Sequence, residues 1–136
     1  MDVSTEPPRQ AQGDVTIAIA RDPALVRTVR LVAAAVARRS DCKDSLVEEI
    51  RLAVGEACAV MIGFDEIRGG SEEQVRVVLS SAGTDFRVMV IGRVEDDDNA
   101  FGDIGLDPWA LLGGLSEDLA VEEKDGVTSL TMSWPL

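Results

Sequence analysis

Glu56 is a lone carboxylate in an otherwise uncharged run from Leu52 to Phe64. In that position it either reaches water past the rim of a core or lines a pocket. Arg27, Arg30 and Arg38 form a basic stripe in an acidic chain. They read either as a solvated face whose arginines pair with nearby carboxylates or as a contact for a partner. Cys42 and Cys58 are the only cysteines, and the chain has no histidine. Serine–histidine and cysteine–histidine nucleophiles are therefore excluded, no zinc site can be assembled, and both cysteines read as reduced thiols.

Glu56 needs a helix to hold it. From Asp44 to Phe64 the apolar residues Leu46, Ile50, Ala53, Ala57, Val60, Met61 and Phe64 fall in one sector at helical spacing, with Glu48, Arg51 and Gly55 opposite. Asp44 or Ser45 can cap its start, and Glu48 and Glu49 suit the positive end of the helix dipole. The arginines need a second helix. Asp22-Pro23 supplies a cap followed by proline at the first helical position, and Leu25, Val29, Val32 and Val36 then share one face with the arginines on the other.

Around these helices the alternation of Val15, Ile17 and Ile19 predicts a first strand. Val75 to Ser80 and Phe86 to Ile91 predict a hairpin turning through 82–85. The acidic run Glu95 to Asp98 ends that hairpin. Asp107-Pro108 begins a short helix with Trp109, Leu112 and Leu115 on its buried side. Leu119 to Glu123 and Val127 to Trp134 close the chain as a second hairpin. The expected architecture is an α+β two-layer sandwich: a mixed, largely antiparallel sheet with three helices on one face. Residues 1–13, with Pro7, Pro8 and Gly13, read as a flexible tail before one domain at 14–136.

At 136 residues and 46% hydrophobic content the chain can bury one ordinary core. Its net charge of −12 argues against direct nucleic-acid binding, which needs a basic surface, and suits a basic protein partner as well as simple solubility. The sequence has no apolar run long enough to span a bilayer and no apolar core near its start for a secretory signal, so a cytoplasmic location is expected.

The segment Leu52-Ala53-Val54-Gly55-Glu56-Ala57-Cys58-Ala59-Val60 resembles the glutamate-to-asparagine helix of the anti-sigma factor serine kinases, a small branch of the GHKL ATPases. That family's pattern is roughly Leu-Ala-Val-Ser-Glu-Ala-x-x-Asn. Leu52, Ala53, Val54, Glu56 and Ala57 match it, and Val60 stands where the asparagine belongs. The element order follows the family's Bergerat-like fold over residues 14 to 135. The resemblance implies a homodimer and places Arg30 at a helix-one arginine that meets both a sigma factor and its antagonist.

In active members, as the resemblance has it, the asparagine ligates magnesium, an Asp-x-Gly-x-Gly reads adenine, a second glycine turn wraps the phosphates, and the glutamate is the general base. Of these only Glu56 remains here. Val60 offers magnesium no oxygen. Leu106-Asp107-Pro108-Trp109 replaces the second glycine turn with a residue that lacks an amide hydrogen and a bulky indole. The carboxylates at 95–98 would repel a triphosphate. The sequence therefore leads to an anti-sigma factor-like binding protein, with a sigma factor and a STAS-type anti-anti-sigma factor as partners and with no kinase activity, bound ATP, magnesium or other metal expected. The alternatives are an active serine kinase that phosphorylates its antagonist, and an acidic scaffold unrelated to sigma factors.

Overall fold

A computed structural model of the chain describes residues 14–62, 74–93 and 118–136. Five strands form one sheet: β1 (Val15–Ile19), β2 (Val75–Ala82), β3 (Asp85–Arg93), β4 (Asp118–Lys124) and β5 (Val127–Pro135). Their order is β1-β2-β3-β5-β4, and every neighbouring pair is antiparallel. Two helices, α1 (Val26–Arg39) and α2 (Asp44–Ile62), accompany the sheet. The architecture is thus the expected α+β one. The tail over 1–13, the acidic run at 95–98, and the helix expected after Asp107-Pro108 with Trp109 lie outside the described residues.

Period-two patterning sets the buried face. Val75, Val77 and Leu79 of β2, Phe86, Val88 and Val90 of β3, and Leu130, Met132 and Trp134 of β5 all turn inward and are buried. Both hairpins close on two-residue loops. Ala82 pairs with Asp85 around Gly83, whose φ is +68°, and Lys124 pairs with Val127 around Asp125 and Gly126, at φ +54° and +80°. Positive φ is what makes such short loops match the twist of the strands they join.

Asp22 accepts a hydrogen bond from the Ala24 amide at 2.9 Å, and a single 3-10 turn over Pro23–Leu25 leads into α1. At the other end of α1 the Cys42 amide reaches the Ala37 carbonyl and the Asp41 amide the Arg38 carbonyl, both at 3.1 Å. This is a Schellman closure with Asp41 in the left-handed region at φ +62°, a position where glycine is the least strained residue. Asp41→Gly should accordingly raise the unfolding free energy by about 0.5–1 kcal/mol. A urea titration that finds Asp41→Gly less stable than the parent chain would refute this reading of the turn.

Helix α2 is buried on two sides rather than one. Val47, Ile50, Ala53, Val54, Ala57, Cys58, Met61 and Ile62 are buried, and so is Gly55, which the helical wheel sets on the polar side. These positions cover roughly 200° of the circumference at 100° per residue. The reason is that α2 packs against both the sheet and α1.

Candidate functional site

The site is built on the outward faces of α1 and α2. Arg27, Arg30 and Arg38 are all exposed on α1, as the spacing predicts. Among the described residues none of the three forms a side-chain hydrogen bond or an ion pair. An ion pair on the neighbouring helix, Arg51 with Glu48 at 3.5 Å, joins exposed residues three apart on α2 and stabilises by only about 0.2–0.5 kcal/mol. The simpler reading of the stripe, arginines paired with nearby carboxylates, is therefore not met among the described residues. Leu31 and Leu52, 59% and 52% exposed, add an apolar component to the same two helices.

Arg30 differs from its two companions. A β-carbon built at Gly55 would lie 3.1 Å from Arg30 Cζ and 3.2 Å from Cδ, and would collide with Nε. The arginine stem thus rests in the notch that Gly55 leaves in α2. Cys58, one turn further on, senses the same guanidinium. Burial pushes its thiol up to about 12, and the positive charge of Arg30 offsets part of that rise. Burial and the neighbouring Asp41 also raise Cys42. Both thiols stay protonated at neutral pH, which suits them poorly to nucleophilic work.

Glu56 is exposed on α2. Val60, one turn later, is half-buried. No cluster of metal-ligating side chains occurs among the described residues.

A second cluster closes the end of α2. Arg21, just past β1, donates from Nη1 to the Met61 carbonyl at 2.9 Å and from Nη2 to the Arg93 carbonyl. It thereby ties the last described turn of α2 to the last described residue of β3. Gly92 makes the approach possible: a β-carbon there would lie 2.7 Å from Met61 Cγ and 3.5 Å from Arg21 Nη2. Thr128, opposite Gly92 on β5, is the one buried polar residue among those described.

Charge is divided between the scaffold and the rest of the chain. The described residues hold 11 of the 13 basic residues and 12 of the 25 acidic ones, so the scaffold is nearly neutral. The other 13 acidic residues, with two basic ones, belong to 1–13, 63–73 and 94–117. The arginine face of α1 therefore sits on a scaffold with almost no net charge, within a chain that is acidic elsewhere.

Sequence reasoning missed Arg21 and Gly55. A glycine in the middle of a 19-residue helix is a usable signal, because it is a poor helix former there. Arg21 offers none.

Residues 19–134 match the family described as Histidine kinase-like ATPase domain. No curated protein matches the chain. Among solved structures it is similar to the RsbU and RsbW domains of Rv1364c from Mycobacterium tuberculosis, with a TM-score of 0.68 and 19% identity, over 88% of this chain and 31% of that one. It thus spans less than a third of that longer chain. It is also similar to the SiaB-SiaC complex from Pseudomonas aeruginosa, with a TM-score of 0.64 and 17% identity, over 88% of each chain. At these identities the likeness is one of fold.

Proposed function

The chain belongs to the histidine kinase-like ATPase domain family, and from that premise we propose that it works as an anti-sigma factor-like binding protein. It holds a sigma factor, a STAS-type anti-anti-sigma factor, or both, without transferring phosphate. The observation that carries this reading is Val60. It is half-buried on α2, one turn after Glu56, where the resembled kinases place a magnesium-ligating asparagine. A valine side chain has no oxygen, so a triphosphate would lose its metal bridge at that point.

The arginine face supports the same conclusion. Arg27, Arg30 and Arg38 are exposed cations without carboxylate partners among the described residues, and Leu31 adds apolar area beside them. Aromatic, arginine and apolar anchors of this sort carry binding energy when a partner desolvates them. The acidic excess in the remaining segments suits basic regions of a sigma factor and would speed the encounter. The SiaB-SiaC structure is a complex of two proteins, and assembly with a second protein is the state proposed here. Glu56 keeps one alternative in view, a serine kinase with an unusual nucleotide site.

The experiment pairs calorimetry with capture. ATP and magnesium are expected to give neither heat nor a thermal shift, while immobilised protein is expected to retain a sigma factor or a STAS protein at micromolar concentration. Phosphate transfer from ATP to a STAS serine would establish the kinase instead. Retention of neither partner class would overturn the binding role.

A further inference from the structure

We propose that Gly55 is a positioning residue: it seats the Arg30 side chain against α2, so that its guanidinium meets a partner's carboxylate at the α1–α2 seam in a restricted set of orientations. The proposal deepens the binding role above and rests on it for the identity of the partner, but its structural core concerns this chain alone.

Glycine at position 55 is costly to the helix. It lies well inside a 19-residue helix, where alanine is favoured over glycine by about fivefold in the folding constant. Its φ is not in the left-handed region, so no backbone conformation demands it. What demands it is the neighbour. Any β-carbon would intrude on Nε, Cζ and Cδ of Arg30, an exposed residue of the facing helix. The buried glycine beneath the exposed arginine acts as a slot, with Cζ and Cδ of Arg30 3.1 and 3.2 Å from the place a β-carbon would take, and the Arg30 charge is also near enough to act on Cys58 one turn further along α2.

Seating has a binding consequence. An exposed arginine samples many rotamers, and fixing one on association costs affinity. Held in the slot, Arg30 has given up much of that freedom before the partner arrives. Its planar fork then offers two parallel N–H groups to a carboxylate, the geometry in which arginine binds such groups best. Arg27 and Arg38, with no such slot among the described residues, supply charge without a set direction. Arg30 has no ion-pair partner among the described residues, so its donors remain available along the seam.

The test separates shape from stability. Gly55→Ala should fold normally, because the colliding atoms belong to the far end of a flexible side chain that can swing away. The Arg30 Nε–H resonance should then lose its distinct shift and exchange faster with water. Alanine's gain in stability should be smaller in the parent chain than in an Arg30→Ala background, where nothing is left to displace. A short peptide of zero net charge carrying one glutamate and one lysine, titrated at physiological ionic strength so that the acidic segments are screened, should perturb the Arg30 Nε–H of the parent chain and bind Gly55→Ala about three- to tenfold more weakly. The result that overturns the proposal is an unchanged Arg30 resonance, or an equal gain from alanine in both backgrounds, or equal peptide binding. None of these readouts uses a sigma factor or a STAS protein, so failure here is distinguishable from failure of the binding role itself.

Discussion

Phe86→Ala is expected to lower the unfolding free energy by about 3–5 kcal/mol, the largest effect of any substitution considered for this chain. Phe86 is fully buried, and it lies directly across from Trp134, 3% exposed, in the register between β3 and β5. Both positions point to the inner face of the sheet, where directly opposed side chains stand about 4.5–5.5 Å apart at their β-carbons. Truncation removes the transfer energy of a ring and leaves a void against a second ring that cannot collapse into it. Phe86→Leu keeps most of the volume and should cost less than about 1.5 kcal/mol. Urea unfolding of the two variants checks this. A loss below about 1 kcal/mol for Phe86→Ala would mean that the β3–β5 core repacks, and that the pairing with Trp134 is not what holds it.

The second large effect concerns Arg21. Arg21→Ala should cost about 1.5–3 kcal/mol, since charge-assisted hydrogen bonds to the Met61 and Arg93 carbonyls are lost and two distant segments are left untied. Partial exposure of the guanidinium holds the value below what two fully buried bonds would give. Arg21→Lys should recover only part, because one ammonium cannot span two carbonyls with the reach of a planar fork. The distinguishing readout is local: amide exchange should quicken in the last turn of α2 and at the end of β3 before it does in β4. Uniform acceleration across the sheet would show that Arg21 stabilises the fold in general and clamps nothing in particular.

The strands were readable because their signals are local. Alternation in β1, β2, β3 and β5 and the turn pairs Gly83-Thr84 and Asp125-Gly126 are short-range patterns whose physics lies in neighbouring residues. The 3-10 turn that leads into α1 was equally open, since Asp22 and Pro23 act on the amides that follow them, although α1 itself begins only at Val26. Gly55 was misread for a definite reason. A helical wheel supposes one wet and one dry side, and α2 is covered by both the sheet and α1. The Arg21 clamp could not be read at all: its acceptors are main-chain carbonyls 40 and 72 residues away, and a carbonyl is the same at every position in a chain. The chemistry of the candidate site divides in the same way. Arg27, Arg30 and Arg38 were placed on an exposed helical face from spacing alone, Glu56 was left open between water and a pocket, and the slot under Arg30 depends on how two helices cross.

The strand order has a consequence for assembly. β2 and β3 meet through a two-residue turn, as do β4 and β5, but β1 must find β2 across the whole helical pair, with Val15 set against Leu79. Closing so long a loop carries the greatest entropic penalty of any pairing in the sheet, and that penalty must be met before its contacts return anything. Because Arg21 lies two residues past the end of β1, the most distant zippering event among the described strands is also the one that brings the clamp to α2 and β3.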